Sequence, residues 1–507
     1  MREQLIIRAD ATAQQGIGHL MRCLALAQGW QDRGGWVALV TCCNNEQLLK
    51  RIRQEGMRVK ILDHPHPEPV DLEQTLEYLA SVRSKDLAHP IWVALDGYHF
   101  DPEYQSAIRD LDVRLLVIDD MGHYPLYHAD ILLNPNIHAT ALTYNFTKNA
   151  QVLAGPRYAL LRREFLASQT QNPPVADLAR RILITMGGAD PDSVTLKVIE
   201  ALAAVDVTDM EVRIIVGPSN PQRPTIARAS GKSPFNVQII ESPIDMPEQM
   251  RWADVAVTGG GGTCLEMALM GVPFIILILA ENQLLCAVVF EKEDLAFNLG
   301  WHTDVTPQDL AHALDEFLRN RDKREIMSSR GQASLDGRSV ARVLETMAPT
   351  ALELRRATTD DCHLIWQWTN DPVTRSASFS SAPIPFDEHR SWFLARIHSP
   401  QYAFYVGTNQ HGRPVGFIRF ELSDGTASVS VNLGPEYRSI GLGSRLIRLA
   451  SEKVHRDKNL ENIFAYIKYE NTASIAAFTN AGYQLHGQEL HKGFQAVRMI
   501  YGKESGK

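Results

Sequence analysis

The sequence predicts an α/β protein in which two doubly wound domains precede a smaller α+β domain. Short runs rich in Val, Ile and Leu alternate with helix-patterned segments through residues 1 to about 345, which is typical of βαβ units around a parallel sheet. A polar stretch with two prolines, 168–174, interrupts this alternation near its middle. Beyond about residue 349 the rhythm changes to strands that look antiparallel. We therefore expect domains at 1–165, 166–348 and 352–503.

Length and composition indicate a globular protein. The chain has 507 residues, of which 45% are hydrophobic and 22% charged. Fifty-one basic residues against fifty-nine acidic ones give a formal charge of −8, which disfavours a general nucleic-acid binder. The six cysteines show no C-x-x-C spacing, and no Asp/His cluster indicates a metal, so we predict none.

Three features predict where the protein resides. The N-terminus lacks the long apolar core of a signal peptide. The longest apolar run, 272–280, is far shorter than the roughly 18 residues that a membrane span needs. Sparse cysteines are typical of reduced thiols. We therefore expect a cytoplasmic protein without a membrane segment; its oligomeric state is left open.

Ten apolar runs in the first two domains are predicted strands. They are Leu5–Ile7, Trp36–Val40, Ile91–Leu95, Leu115–Ile118, Ile131–Leu133, Arg181–Thr185, Val212–Val216, Val237–Ile240, Asp254–Thr258 and Pro273–Ile278. Ligands of doubly wound sheets bind at the carboxyl ends of the strands, so the residues that follow these runs are the first candidates for a site.

The first predicted strand leads into a glycine-containing loop and then into an amphipathic helix from about Leu20. Gly16 and Gly18 permit a close approach of the backbone, and the helix start directs free N–H groups at the cleft. His19 lies at this positive helix end, which favours a neutral imidazole able to accept a proton. A histidine at this place is either a catalytic base or a cap or surface residue.

Two further glycine loops follow strands of the second domain. Successive glycines cost conformational entropy unless something needs the backbone exposed, and a diphosphate held by N–H groups is the obvious ligand. A tight βα turn is the alternative, although it explains one such loop better than two. The candidate nucleotide-binding residues are Gly187, Gly188, Gly260, Gly261, Gly262, Thr263 and Glu266, the last through ribose hydroxyls.

Several blocks of the first 345 residues form a series. It opens with Arg8-Ala9-Asp10 and Gly16-Ile17-Gly18-His19-Leu20-Met21-Arg22-Cys23, and it continues with Asp96-Gly97-Tyr98, Asp119-Asp120, Leu133-Asn134-Pro135-Asn136, 155–162 and Glu281-Asn282-Gln283. In this order the blocks resemble the UDP-sugar hydrolase family of pseudaminic acid biosynthesis, over about residues 3–345. The resemblance implies two Rossmann-like domains in a glycosyltransferase-B-like fold. It also implies metal-independent hydrolysis of UDP-2,4-diacetamido-2,4,6-trideoxy-β-L-altropyranose, which releases UDP with inversion at the anomeric carbon.

The residues suit that chemistry. A neutral His19 can remove a proton from the water that attacks the anomeric carbon, which is worth about 10²–10⁴ in rate. Amides of the glycine loops can stabilise the departing UDP. Tyr98 orients the water or the sugar, or else belongs to the core or rim. Asp10 and Asp96 position the sugar or, as we favour slightly, cap adjacent turns.

Two residues of the second domain complete the predicted substrate site. Asn282, in the last block, is expected to contact the sugar. Met246 is expected in a loop that borders uracil.

A third glycine loop marks the last domain. The segment 438–444, Arg-Ser-Ile-Gly-Leu-Gly-Ser, follows an alternating strand and precedes a helix predicted from Arg445 to His455. Three to five amides of such a loop point inward, as a pyrophosphate requires. A glycine-rich βα turn is the alternative.

This loop and a later block, Asn471-x-x-Ser474-x-x-x-Phe478-x-x-x-Gly482-Tyr483, resemble the GCN5-related N-acetyltransferase (GNAT) family over about residues 352–500. The resemblance implies acetyl-CoA as cosubstrate. The acetyl-CoA-binding residues that it implies are Val431, Leu433, Arg438, Ser439, Gly441, Leu442, Gly443, Ser444, Asn471 and Phe478.

The acceptor side is indicated by 370–375 and 388–393, which are similar to the pseudaminic-pathway acetyltransferase that acetylates the 4-amino group of the UDP-sugar. Asn370 and His389 are its candidates, although His389 could equally be a surface histidine. Backbone groups along Val429–Leu433 could polarise the thioester. Glu421 could act as a base through water, but an outward-facing strand glutamate is the favoured reading.

Two positions depart from the family pattern. Phe478 stands where the family usually has a proton-donating tyrosine, so Tyr469, Tyr483 or water must substitute, or the domain is slow, altered or inactive. Thr369 replaces an arginine that commonly precedes Asn370.

The leading hypothesis is a bifunctional enzyme that N-acetylates a UDP-4-amino-sugar and then hydrolyses the UDP-sugar. One alternative keeps the nucleotide site but makes the first two domains a glycosyltransferase, with His19 activating an acceptor hydroxyl. Another makes them a sugar-nucleotide-binding module that feeds the acetyltransferase.

Overall fold

The computed structural model describes residues 3–11, 16–84, 90–147, 150–169, 174–188, 190–217, 220–241, 243 and 245–502. Parts of three predictions lie outside the described residues: 12–15 beside the first glycine loop, 170–173 of the polar stretch, and 503 at the expected end of the last domain. The chain divides into two compact units, Met1–Met347 and Ala348–Lys507. In the described part of the chain, no helix is both long and apolar enough to cross a membrane.

The first unit begins with a sheet of seven strands in the order β3-β2-β1-β4-β5-β6-β7, all parallel. The strands are β1 Gln4–Ala9, β2 Trp36–Thr41, β3 Arg58–Ile61, β4 Ile91–Asp96, β5 Arg114–Ile118, β6 Ile131–Asn134 and β7 Gln151–Ala154. The helices around it are α1 Gly18–Asp32, α2 Glu46–Gln54, α3 Pro69–Arg83, α4 Pro102–Arg109 and α5 Arg163–Ser168.

A second parallel sheet follows, in the order β10-β9-β8-β11-β12-β13. Its strands are β8 Arg181–Thr185, β9 Glu211–Val216, β10 Asn236–Glu241, β11 Val255–Gly259, β12 Phe274–Ile278 and β13 Phe297–Trp301. The helices are α6 Val194–Ala203, α7 Arg223–Ser230, α8 Met246–Trp252, α9 Thr263–Met270, α10 Leu284–Lys292, α11 Pro307–Arg319, α12 Arg321–Ser334 and α13 Ser339–Met347.

Both sheets confirm the predicted doubly wound architecture. Their central strands are apolar runs that helices cover on both faces, so β4, β11 and β12 are buried along their whole length. The order of the strands reverses beside β1 in the first sheet and beside β8 in the second. Each reversal opens a crevice at the carboxyl end of the sheet.

The second unit contains one mixed sheet in the order β14-β15-β16-β17-β18-β20-β19, which confirms the predicted α+β domain. Its strands are β14 Glu353–Arg356, β15 Tyr402–Thr408, β16 Pro414–Ser423, β17 Thr426–Leu433, β18 Asn462–Lys468, β19 Gln484–His491 and β20 Phe494–Gly502. Its helices are α14 Cys362–Asn370, α15 Pro372–Ala377, α16 Phe386–Ile397, α17 Leu442–Lys458 and α18 Thr472–Asn480.

Two helices begin earlier than the sequence pattern predicts. Helix α1 begins at Gly18 rather than near Leu20, and α17 begins at Leu442 rather than at Arg445. In both cases the glycine loop runs directly into the first helical turn, so its amides belong to the helix N-terminus.

A buried arginine ties together the second half of the first unit. The Arg324 side chain is fully buried, and its guanidinium donates to the carbonyls of Phe317, Leu318, Ala176 and Asp177 at 2.9–3.1 Å. These bonds join the end of α11 to the segment that leads into β8.

We predict that Arg324→Met lowers the free energy of unfolding by about 3 kcal/mol, because several buried carbonyls lose their donor. The control is Arg321→Met, which removes a half-exposed arginine that pairs with the exposed Asp177 carboxylate and should change stability by less than about 1 kcal/mol. Calorimetry of both variants measures the difference. Equal unfolding temperatures for the two variants would contradict a structural role for Arg324.

Candidate functional site

The crevice of the first sheet brings together the predicted residues His19, Asp96 and Tyr98. His19 stands in the first turn of α1, after β1, and Asp96 is the last residue of β4. The two strands are neighbours, with Ala9 paired to Asp96. The reversal of the strand order therefore places the start of α1 beside the end of β4.

A short hydrogen bond fixes the tautomer of His19. Its Nδ1 lies 2.6 Å from Oδ1 of Asp96, whose side chain is fully buried. Burial raises the pKa of the Asp96 carboxyl, but the charges of Arg22 and His19 and the bonds from both hold it well below its usual range. An ionised carboxylate only accepts, so Nδ1 carries the proton and Nε2 is left as the basic nitrogen.

Arg22 joins two carboxylates at the base of the crevice. Its Nε and Nη2 donate to the two oxygens of Asp96 at 2.6 Å each, and its Nη1 donates to Oδ1 of Asp120 at 2.6 Å. The guanidinium charge also keeps the pKa of Asp120 below its usual value, although burial raises it. One cation thus keeps both acids ionised.

Tyr98 lies between the two halves of the unit. Its ring meets the His19 ring edge-on, with centroids 4.9 Å apart. Its hydroxyl donates to Oδ2 of Asp120 at 2.7 Å and accepts from the Asn282 amide at 2.9 Å. Burial and the Asp120 carboxylate raise the pKa of Tyr98 far above its ordinary value, so the hydroxyl stays protonated at neutral pH. The predicted residues His19, Tyr98 and Asn282 are therefore in one cluster.

Sequence reasoning missed the roles of Arg22, Asp120 and Asn136, although all three lie in the quoted blocks. The Asn136 side-chain amide donates to Oδ1 of Asp120 at 2.6 Å, the oxygen that also accepts from Arg22. For Arg22 a signal existed, because it stands three residues after His19 and hence on the same face of α1. For Asp96 the favoured interpretation as a turn cap was wrong, because its carboxylate binds His19 and Arg22.

The glycine loop after β8 faces the loop before α1. Gly187 has φ +80° and Gly16 has φ +72°, which are left-handed conformations that favour glycine. A Cβ added to Gly188 would lie 3.6 Å from the Ile17 nitrogen and 3.8 Å from the Gly16 Cα. The backbones of the two loops therefore approach closely across the crevice.

The other glycine loop of the second half opens toward free space. Added Cβ atoms at Gly261 and Gly262 would meet nothing within 4 Å, and Gly262 is the N-cap of α9. The Gly260 amide, by contrast, donates to the Gln283 side chain at 2.8 Å. A phosphate can therefore approach the start of α9, where Thr263 begins the helix.

Two further candidates of the second half, Glu266 and Met246, lie on helices. Glu266, in the first turn of α9, accepts from Arg162 at 2.9 Å. Met246 is the first residue of α8, so the prediction that it lies in a loop was wrong; Asp245 caps that helix and fixes where it begins.

Asp10 belongs to a separate buried network. Its carboxylate pairs with Arg8, accepts from the Cys42 amide at 2.6 Å and lies 3.2 Å from His99 Nε2. Burial raises the pKa of Asp10, but the bonds from His99 and Arg8 outweigh this and lower it to about 2. Asp10 thus binds Arg8, His99 and the Cys42 amide, and it has no hydrogen bond to His19 or Tyr98 among the described residues.

In the second unit, a wedge opens between two parallel strands. Strands β17 and β18 pair only from Thr426–Asn462 to Ser428–Phe464, although both continue for several residues. Backbone groups at Val429–Leu433, including Val431 and Leu433, therefore border the wedge without a partner strand on that side.

The glycine loop 438–444 lies at the end of β17. Ser439 and Gly441 have φ +64° and +89°, and a Cβ added to Gly441 would meet nothing within 4 Å. A Cβ on Gly443 would come within 3.1 Å of the Leu433 side chain. Gly441 is the N-cap of α17, and Leu442, Gly443 and Ser444 form its first turn, so their amides face the space beside Gly441.

The Arg438 side chain braces this loop. It donates to the Leu433 carbonyl at 3.1 Å, to Asp371 at 2.5 Å and to the Thr374 hydroxyl at 3.0 Å. Arg438 therefore ties the end of β17 to the start of α15.

The residues of α18 are structural. Asn471 caps the helix by accepting from the Ser474 amide at 3.1 Å. Phe478 is buried against Tyr483, with ring centroids 4.9 Å apart. The Tyr483 hydroxyl is bonded to Ser451 at 2.8 Å inside the core, where burial raises its pKa. Tyr469, by contrast, is 57% exposed.

On the opposite face, His389 is buried rather than on the surface. Burial lowers the pKa of His389, and its Nε2 has no hydrogen-bond partner among the described residues. Both ends of the Asn370 amide bind the Ile384 backbone, at 2.9 and 2.7 Å, so Asn370 holds the loop before α16. Glu421 is exposed, as the favoured interpretation of an outward-facing glutamate predicts. Its carboxylate accepts a hydrogen bond from the Tyr402 hydroxyl at 3.1 Å.

Two family models match separate parts of the chain. Residues 181–341 match the glycosyltransferase family 28 C-terminal domain. Residues 351–484 match the acetyltransferase (GNAT) domain.

Curated relatives match mainly the first unit. The spore coat polysaccharide biosynthesis protein SpsG of Bacillus subtilis is 26% identical over 340 residues, which is 66% of this chain and 95% of that protein. The UDP-2,4-diacetamido-2,4,6-trideoxy-beta-L-altropyranose hydrolase of Campylobacter jejuni is 23% identical over 283 residues, 55% of this chain and 93% of that protein. The uncharacterized protein MJ1062 of Methanocaldococcus jannaschii is 22% identical over 503 residues, 95% of this chain and 96% of that protein.

These matches confirm both predicted resemblances. The first unit is similar to proteins that include a named pseudaminic-pathway hydrolase, and the second carries a GNAT acetyltransferase domain. The chain is therefore an enzyme that joins a module like those of sugar-nucleotide hydrolases and glycosyltransferases to an acetyltransferase.

We predict that Asp96 stabilises the first unit only where its carboxyl is ionised. Because its pKa is lowered by folding, this stabilisation is present above the unfolded pKa of about 4 and is lost as the pH falls through the folded value. Asp96→Asn should therefore cost about 3 kcal/mol at neutral pH, and the difference from wild type should shrink at about pH 3.

Calorimetry at the two pH values measures this difference, with the exposed Asp110→Asn as control. A penalty for Asp96→Asn that stays constant with pH would contradict the ionised pair.

Proposed function

We propose that the first unit hydrolyses a UDP-sugar, namely UDP-2,4-diacetamido-2,4,6-trideoxy-β-L-altropyranose, to free sugar and UDP with inversion. The observation that carries the proposal is the His19–Asp96 pair in the crevice, whose Nδ1 and Oδ1 atoms are 2.6 Å apart. The printed name of the Campylobacter jejuni relative supports the choice of substrate.

In this proposal His19 is the general base. With Nδ1–H bound to Asp96, Nε2 takes a proton from the water that attacks the anomeric carbon. The imidazolium that forms is stabilised by the adjacent carboxylate. Inversion follows because the water adds on the face opposite the departing UDP.

The leaving UDP is held by the second half. Amides at the start of α9, near Gly261, Gly262 and Thr263, and the loop at Gly187 and Gly188 stabilise the diphosphate as its charge develops. Glu266 binds the ribose, and Met246 borders the uracil. No group of three or more His, Cys, Asp or Glu side chains able to hold a metal occurs among the described residues.

Tyr98 and Asn282 position the sugar in this proposal. Their hydrogen bond of 2.9 Å joins the first half of the unit to the second. In this proposal a substrate in the crevice contacts both groups.

We propose that the second unit transfers an acetyl group from acetyl-CoA to the 4-amino group of the UDP-sugar precursor. The loop 438–444 holds the pyrophosphate, and the unpaired edge of β17 binds the pantetheine arm and thioester. The neutral His389 and the loop held by Asn370 lie on the acceptor side. With Phe478 and Tyr483 in the core, the exposed Tyr469 or water protonates the thiolate.

Replacing His19 tests the hydrolase. We predict that His19→Asn, which can still bond to Asp96, lowers the rate of UDP release by about 10²–10⁴ and leaves UDP affinity within about twofold. Stopped assays of free UDP, with the exposed His64→Asn as control, measure this change. An unaltered rate would mean that the first unit is a binding module or uses another base.

A glycosyltransferase is the second candidate, and the family model at residues 181–341 favours it. The same His19 would then activate a hydroxyl of an acceptor instead of water. Incubation with the UDP-sugar and no acceptor separates the two, because only a hydrolase produces sugar and UDP in equal amounts. An anomeric NMR time course identifies the product and its configuration.

Replacing Gly441 tests the coenzyme site. A Cβ at φ +89° costs about 1–3 kcal/mol of strain or displaces the loop amides, so we predict that Gly441→Ala raises the KM for acetyl-CoA about tenfold. The control is Gly412→Ala, which introduces similar strain at φ +73° in the turn between β15 and β16. Similar KM values in both variants would place the coenzyme elsewhere.

A further inference from the structure

Two cations are buried in the second unit without an acidic partner. Arg375, in α15, and Lys468, the last residue of β18, are each only 7% exposed. Arg375 donates to the Ser380 carbonyl, and Lys468 donates to the Ser376 carbonyl at 3.0 Å. The two accepting carbonyls are four residues apart, one in the last turn of α15 and one three residues beyond its end. Neither has an ion pair within the part of the chain that the structure describes.

This arrangement is costly unless an anion completes it. A buried cation that meets only one carbonyl keeps much of its desolvation penalty. The Nε of Arg375 is buried and has no hydrogen-bond partner, and burial lowers the pKa of this guanidinium. Helix α15 is short, so the partial negative charge at its carboxyl end compensates only a small part of two buried positive charges.

The pair faces the acceptor side of the wedge. In β18, Ile463, Ala465 and Ile467 pack in the core that contains α17. Successive side chains of a strand alternate, so Lys468 points to the opposite face. The pyrophosphate loop begins α17 on the first face. An anion at Lys468 therefore comes from the acceptor rather than from the coenzyme.

Aromatic rings surround this position. The Lys468 Nζ lies 4.5 Å from the centre of the Phe494 ring. Phe379 contacts both His491 and Phe494, and His491 stacks on Tyr466 at 4.4 Å. Cations beside rings are what a phosphate attached to a nucleoside requires.

We propose that Arg375 and Lys468 bind a phosphate of the acetyl acceptor, so that this unit selects amines that carry a phosphate or diphosphate. The inference deepens the proposed acetyl transfer and rests on it for the identity of the amine. Two charge-assisted contacts give affinity for the anionic part of the acceptor and repel polyamines, whose additional positive charges would meet the same two cations.

The test replaces both cations in the full chain. In Arg375→Met/Lys468→Met, the KM for the UDP-4-amino-sugar should rise about 100-fold, whereas the KM for acetyl-CoA stays within about twofold. The thermal transition of the second unit should not fall, because two unpaired buried charges are removed. Arg390→Met, an exposed arginine on α16, is the matched control, and Lys468→Arg should retain most of the affinity.

A second measurement does not depend on acetyl transfer. Equilibrium dialysis with UDP should show one site fewer in the double variant than in wild type. Suppose that the wild-type protein does not acetylate the sugar nucleotide, but that the double variant still binds one UDP fewer than the wild type. The proposed reaction is then wrong and the phosphate site stands. Unchanged KM values together with unchanged UDP stoichiometry would overturn the phosphate site, and a rise in the KM for acetyl-CoA alone would overturn its assignment to the acceptor.

Discussion

The candidate site of the first unit depends on the ion pairs that the Arg22 guanidinium makes with two carboxylates. The guanidinium lies between Asp96 and Asp120, two buried carboxylates that would otherwise repel each other and take up a proton. With Arg22 in place both remain ionised, so Asp96 fixes the tautomer of His19 and Asp120 holds the Tyr98 hydroxyl. One cation therefore sets the proton positions of two groups in the crevice, His19 and Tyr98.

The two units form their proposed phosphate sites by different means. In the first, the order of the strands reverses, so consecutive connections leave to opposite faces of the sheet and their glycine loops line a crevice. In the second, β17 and β18 stop pairing after Ser428–Phe464, and the loop at Gly441 closes the open end. In both units, backbone amides at a helix start are the proposed donors, and such amides can bind a phosphate without a basic excess in the sequence.

The main elements of the first unit could be predicted because their apolar periodicity is strong, but three of the strands described there were not. Strands β3 and β7, at the two edges of the first sheet, each have two exposed residues out of four, and β13, at an edge of the second sheet, is only partly buried. Helices cover edge strands incompletely, so such strands carry few apolar residues to reveal them. Met246 was misplaced for a similar reason, because a single cap residue, Asp245, decides where α8 begins.

The sequence by itself determined which residues follow the strands, and therefore that His19, Tyr98 and the glycine loops would meet at the carboxyl ends of the sheets. It also determined, through its motifs, that a sugar-nucleotide module precedes an acetyltransferase. Only the tertiary structure decided the partners. Asp96 binds His19 across 77 positions of sequence, Asn282 reaches Tyr98 across 184, and Lys468 donates to the Ser376 carbonyl across 92. Such pairings depend on how strands and helices pack in space, and the order of residues along the chain does not specify them locally.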